Sequence, residues 1–307
     1  MSITIRLKEN EEWIDFDVPT EWKDMSVSYW AELTGIINSH QEQNKLQKSH
    51  YEEKYEGDGG LDKILGDIDI VDDIRLNGEI FKFLSGLSKE DMKKVDMDQV
   101  TKVINTLGIL TEEYKPTGAR SFEFEDETYY FPSEMLKKNT YGDFIESTQL
   151  DTTIENMKNG RYDVLPEQMA ILCRRIGEEY DEDLIPAKTE KFKNLKMDSV
   201  MEFAFFFDQS KHQVAESFQH VFGEKNKSMM EVKTRGLYNA YIKPFGWLNS
   251  LYVLAEKGVF KIEGKNGIDS VKDTNLYKVL TYLSWITAKN EYESKVSEKI
   301  SNPNKVS

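Results

Sequence analysis

Trp13-Ile-Asp-Phe-Asp-Val-Pro-Thr-Glu-Trp-Lys-Asp-Met-Ser-Val-Ser-Tyr-Trp-Ala-Glu-Leu33 decides how this chain is read, because a second stretch repeats its order: Thr128-Tyr-Tyr-Phe-Pro-Ser-Glu-Met-Leu-Lys-Lys-Asn-Thr-Tyr-Gly-Asp-Phe-Ile-Glu-Ser147. Pro19 corresponds to Pro132, Thr20 to Ser133 and Glu21 to Glu134. With one residue inserted in the second copy, Ser26 corresponds to Thr140, Trp30 to Phe144 and Glu32 to Glu146. In each copy an apolar segment ends at a proline, which has no N–H to give to a sheet ladder. A hydroxyl residue then offers a helix N-cap, and another a few residues on opens an amphipathic helix.

Working outward, Ile3, Ile5 and Leu7 alternate with polar residues, as do Ile14, Phe16 and Val18 after a polar break. This period-two pattern predicts a β-hairpin. Ser121 to Phe131 predicts a second hairpin, turning at Asp126. The remainder reads as helices: Val100, Val103, Ile104 and Leu107 form one stripe, and Leu276, Val279, Leu280, Leu283 and Ile286 another. Ser88-Lys-Glu-Asp91 has the form of a capping box. A second echo pairs Val95-Asp-Met-Asp-Gln-Val100 with Leu195-Lys-Met-Asp-Ser-Val200. Two echoes in the same order point to an internal tandem duplication. The expected fold is therefore α+β, predominantly α-helical with two small β-hairpins. Its expected units are residues 1–117, a related unit at 118–210, and a helical unit at 211–307. The boundaries fall at the Lys115-Pro-Thr-Gly118 turn and at the start of the polar, Lys-rich 211–235 region.

The chain has 307 residues, a formal net charge of −15 and one cysteine, Cys173. The charge disfavours phosphate backbones and anionic membranes, so neither nucleic-acid nor membrane binding is expected. One cysteine cannot form an internal disulfide. The opening Met-Ser-Ile-Thr-Ile-Arg lacks the basic and apolar regions of a signal peptide, and no apolar run approaches the ~20 residues of a membrane span. A soluble intracellular protein is expected.

Candidate chemistry is sparse. Gly66-Asp-Ile-Asp-Ile-Val-Asp-Asp73 lacks the glycine and terminal glutamate of a calcium loop and reads as a solvated acidic helix face. Glu178-Glu-Tyr-Asp-Glu-Asp183 is dense enough to hold a cation loosely, but reads as a solubilising loop. His212 and His220 lie two helical turns apart, too far for one ion, and Cys173 sits on an apolar helix stripe as a buried thiol. No metal or cofactor is expected. The phosphate-loop, dinucleotide, nucleophile-elbow and zincin motifs are absent. Paired carboxylates leave no local signature, so a carboxylate-dependent hydrolase stays open as the enzymatic alternative. Tyr238-Asn-Ala-Tyr-Ile-Lys-Pro-Phe-Gly-Trp247 concentrates aromatics around a proline. Either these side chains are core, or Tyr238, Tyr241, Phe245 and Trp247 bind a partner.

Val18-Pro-Thr-Glu-Trp22, with Ser26 and Trp30, resembles the start of small morphogenesis proteins of tailed bacteriophages. Gln168-Met-Ala-Ile-Leu172, Asp198-Ser-Val-Met-Glu-Phe-Ala-Phe-Phe-Phe207 and Phe245-Gly-Trp-Leu-Asn-Ser-Leu-Tyr-Val-Leu-Ala255 are similar to recurring elements of that group. About half of the chain is involved, and the motifs are packing motifs that carry no catalytic residue. The resemblance implies a non-enzymatic virion or tail-assembly protein whose partners are other phage structural proteins. It would act in the host cytoplasm during assembly, either as a component of the particle or as an assembly chaperone that leaves it.

Overall fold

A computed structural model of the chain describes residues 1–7, 13–54, 61–108, 113–150, 164–222 and 245–301. Strands β1 (Ser2–Arg6) and β2 (Trp13–Asp17) are followed by helices α1 (Val27–Lys54), α2 (Leu61–Ser85), α3 (Lys89–Met92) and α4 (Met97–Asn105). Next come β3 (Ser121–Phe124), β4 (Glu127–Tyr130), α5 (Tyr141–Gln149), α6 (Leu165–Leu172), α7 (Ile185–Phe192), α8 (Met197–Ser217) and α9 (Gln219–Phe222). Then follow α10 (Trp247–Lys257), α11 (Gly267–Lys272) and α12 (Leu276–Ser301). The sheets are two separate antiparallel hairpins, β1-β2 and β3-β4, so the fold is α+β and predominantly helical as expected.

The chain divides into two compact units. The first comprises Met1–Thr117, Ile154–Pro166 and Ala187–Glu202; the second comprises Gly118–Thr153, Glu167–Pro186 and Phe203–Ser307. Both units are assembled from non-contiguous segments of the chain. Residues 210 and 211 lie inside α8, which continues past them with Val214 buried.

In the first unit β1 and β2 pair with Ile3 opposite Phe16 and Ile5 opposite Ile14, which gathers their apolar side chains on one face. Phe16 meets Phe81 of α2 edge to face at 5.7 Å. Pro19 ends the strand region, a short turn follows at Trp22–Asp24, and Ser26 accepts the Tyr29 N–H at 3.1 Å to open α1. Trp30 is 6% exposed and packs on Trp22 with ring centres 5.0 Å apart. Helix α1 runs through the polar stretch from His40 to Lys54 because that stretch supplies its partner-facing side chains. His40 lies between Asp72 and Glu79, while Asn44 and Lys48 reach Asp69.

This seam corrects the reading of Gly66 to Asp73. Its Asp69 and Asp72 face α1, and Lys48 followed by Asn44 holds the Asp69 carboxyl below the usual range. Asp67 and Asp73 are exposed, as a solvated acidic face requires, but so are Ile70 and Val71, joined by Ile74 one turn on. Helix α2 is therefore polar within its α1 contact and apolar on part of its outer surface.

The second unit repeats the opening. Phe122 lies opposite Tyr129, and the two-residue turn Glu125-Asp126 takes positive φ at both positions, the geometry that matches strand twist. Thr140 and Asp143 form a reciprocal capping box at α5, and Phe144, 3% exposed, follows Thr140 by four residues as the buried Trp30 follows Ser26.

The correspondence extends to backbone hydrogen bonds. In the first unit Val27 N–H donates to Leu195 O at 2.9 Å and Met197 N–H to Met25 O at 2.9 Å. In the second, Tyr141 N–H donates to Thr274 O at 2.8 Å and Leu276 N–H to Asn139 O at 3.0 Å. Ser26 thus bridges Lys196 as Thr140 bridges Asn275. Val18 N–H reaches Met1 O at 2.8 Å, as Phe131 N–H reaches Arg120 O at 2.9 Å. The same construction is present twice.

It follows that the methionine echo was misassigned. The counterpart of Leu195–Met197 is Thr274–Leu276, not Val95–Met97. Asp96 caps α4 by accepting the Asp98 N–H, whereas Lys196 takes part in the backbone bridge. Met97 is accordingly exposed and Met197 buried. A short apolar-polar pattern at a helix start recurs without shared geometry.

Candidate functional site

Tyr238 and Tyr241 lie outside the described residues. Phe245 is exposed beside the start of α10. Trp247 packs edge to face on Phe144 at 5.3 Å and also meets Phe222 at 5.1 Å, so it serves the interior of the second unit. The aromatic segment is thus divided, with Phe245 outward and Trp247 inward.

A row of exposed apolar side chains of the second unit lies instead on α12. Leu276, Val279 and Leu280 are buried on one face. Trp285, Tyr292, Val296 and Ile300 are exposed, and at 100° per residue they fall within about 80° of one another on the opposite face. The helix continues to Ser301. The buried residues lie in the first turns, whereas from Lys289 to Ser301 nearly every residue is exposed, so the later part of α12 carries an uncovered apolar stripe.

A second feature is a cleft of about 520 Å³ beside β4 and the Pro132–Asn139 turn. Its floor includes buried Phe131 and Leu172 and its rim includes Ile176 and Tyr130. Strand β4 reaches it through a single antiparallel bridge, in which Tyr130 N–H donates to Arg174 O at 2.9 Å and Arg174 N–H to Tyr130 O at 3.2 Å.

Asp143 stands in its wall, 5% exposed. One carboxylate oxygen accepts from Arg174 Nη2 at 2.9 Å; the other accepts from Asn139 Nδ2 at 3.2 Å and Thr140 N–H at 3.1 Å. Ser133 Oγ accepts the Lys138 N–H at 2.7 Å and lies 3.3 Å from Asn139 Oδ1. The lining thus holds Lys138, Arg174 and Arg175 against the single carboxylate of Asp143. Arg175 also pairs with Glu127 and Glu178 at 3.2 Å each. Among the described residues Lys138 Nζ has no partner, and neither Nε nor Nη1 of Arg174 donates to a hydrogen-bond acceptor.

Outside the cleft, Glu146 accepts the Tyr180 hydroxyl and pairs with Lys272 at 2.7 Å, which also meets Glu182 at 3.1 Å. Burial pushes the Tyr180 phenol up, and Glu146 adds to the rise. Burial opposes the Lys272 ammonium, but Glu146 and Glu182 outweigh it, so its pKa is raised. Two members of the expected solvated acidic loop, Glu178 and Glu182, are therefore pinned by cations. Asp181 caps the following short turn by accepting the Asp183 N–H.

The cleft escaped the sequence reading for a physical reason. Thr140-x-x-Asp143 is legible as a capping box, but Arg174 arrives from the far end of α6, with no local spacing to announce it. No known protein family, curated protein or solved structure matches this chain.

Proposed function

We propose that the protein acts by binding other proteins during assembly of a tailed-bacteriophage particle, without chemistry of its own. The observation that carries this reading is the later part of helix α12, with Trp285, Tyr292, Val296 and Ile300 exposed along one side. Aromatic and aliphatic side chains gathered on one surface are what a protein interface covers. The outward Ile70, Val71 and Ile74 of α2 add a second such surface. The phage element comes from the sequence resemblance at Val18–Trp22, Gln168–Leu172 and Phe245–Ala255. The doubled opening supports duplication within such a gene.

The hydrolase alternative needs carboxylates converging across a cleft. The cleft beside β4 carries one, Asp143, while Glu146 and Glu182 meet on a lysine. This favours binding over hydrolysis. No described helix is long and apolar enough to cross a membrane.

Mass spectrometry of particles purified from the encoding phage separates the two forms of the reading. Stoichiometric recovery identifies a built-in component; expression without recovery identifies a chaperone. Normal particle yield after deletion of the gene would overturn both.

A further inference from the structure

The cleft beside β4 differs from its counterpart in the first unit at the positions that matter for ligands. Where the second unit has Asn139 and Asp143, the first has Met25 and Tyr29, by the same alignment that equates Val27 with Tyr141. The turn before Thr140 carries the inserted residue. Met135 and Leu136 absorb it at φ 54° and 57°, a conformation that no residue from Pro19 to Ser26 adopts. That turn supplies Ser133, Lys138 and Asn139 to the cleft. At these positions the second copy has a polar wall where the first has Met25 and Tyr29.

The lining is cationic in a chain of net charge −15. Asp143 spends its oxygens on Arg174, Asn139 and Thr140, so the Lys138 ammonium and the remaining Arg174 N–H groups are donors left for a ligand. Next to them Ile176 is 84% exposed and Tyr130 is partly exposed, an apolar rim that a free inorganic anion would not use.

We propose that this cleft takes an acidic peptide segment of a partner protein. One of its carboxylates would lie on Arg174 and Lys138, and a neighbouring apolar side chain against Ile176 and Tyr130. The inference rests on the protein-binding reading and names the chemistry of the partner. Charge and apolar complementarity select this occupant.

The test uses the full chain and a fluorescein-labelled peptide of alternating glutamate and leucine, followed by anisotropy. The matching glutamine-leucine peptide and inorganic phosphate are the control ligands. The glutamate peptide is expected to bind saturably, about tenfold tighter than the glutamine peptide, and to weaken as salt rises. Lys138→Glu is expected to weaken it about tenfold and Ile176→Ser about threefold. Both side chains are exposed, so circular dichroism should show both variants folded. Equal affinity for the two peptides, indifference to Lys138→Glu, or saturable phosphate binding with no peptide binding would each overturn the assignment. So would a concentration-dependent self-association that Lys138→Glu abolishes, because the occupant would then be a second copy. Lys138→Glu protein recovered from particles at the wild-type level would leave the protein-binding reading standing while the cleft assignment falls.

Discussion

The two units begin with the same construction and diverge in what they place behind it. Hairpin, proline, short turn, capped helix and a backbone bridge to a second helix start recur in the same order, and the bridge is made by matching backbone hydrogen bonds. At the third helical position, however, the first unit carries Tyr29, whose ring packs on Phe83 at 4.8 Å, and the second carries Asp143, tied to Arg174. Backbone geometry at a capped helix start tolerates either, because the cap satisfies the same N–H groups. The side-chain environment does not, since a buried carboxylate requires donors and a buried ring requires apolar neighbours. Copying a fold therefore leaves freedom to install a polar site in one copy alone.

The largest effects are expected where the copies agree. Trp30→Ala and Phe144→Ala should each cost about 3–5 kcal/mol, since both side chains are buried anchors of the same kind. Urea denaturation of each variant measures this, and a loss for one but not the other would break the equivalence of the two copies.

A somewhat smaller effect is expected where they differ. Arg174→Ala leaves Asp143 buried with only Asn139 and Thr140 as donors, and about 2–3 kcal/mol should be lost. The value lies below that of a wholly buried pair because Arg174 is itself partly exposed. Restoration of stability by adding Asp143→Asn to this variant would show that the stranded charge, rather than lost packing, caused the loss.

The caps offer a finer comparison. Ser26→Ala and Thr140→Ala should each cost about 1 kcal/mol, with Thr140 the larger because its box is reciprocal. Thermal denaturation with the two ordered the other way would count against that ranking.

Alkaline pH should act on both copies in one direction. Burial pushes the Tyr141 phenol up to about 12, with Ser250 pulling slightly the other way. An unfolded phenol ionises near 10. The folded state keeps the proton longer, so the contribution is fully present below pH 10 and is lost between pH 10 and about 12. Tyr180 and Lys272 in the second unit and Tyr114 in the first are raised as well and reinforce the trend. Tyr141→Phe should flatten the decline in melting temperature above pH 10, and an unchanged slope would remove Tyr141 from this account.

Much of the architecture was legible because it rests on local chemistry. Alternation at Ile3–Leu7 and Ile14–Val18 specifies a half-buried hairpin, Pro19 and Pro132 stop the strand regions, and Ser26 and Thr140 cap helices through bonds spanning three residues. The anchors Trp30 and Phe144 follow from helical spacing off those caps. The errors share a cause. Asp69 and Asp72 were assigned to solvent because acidic runs usually lie there, yet α1 presents His40, Asn44 and Lys48 to them. Met97 and Met197 were equated on a short pattern that two unrelated helix starts can share.

The sequence alone determined the type of each element, the places where the chain turns and the doubling of its opening, because these depend on residues within a few positions of one another. Only the tertiary structure decided which helix start each cap bridges, that Asp69 and Asp72 of α2 meet α1, and that Arg174 meets Asp143 in a cleft. Those pairings join residues tens of positions apart. Nothing in their local spacing encodes the meeting; it arises when packing brings α6 back beside α5.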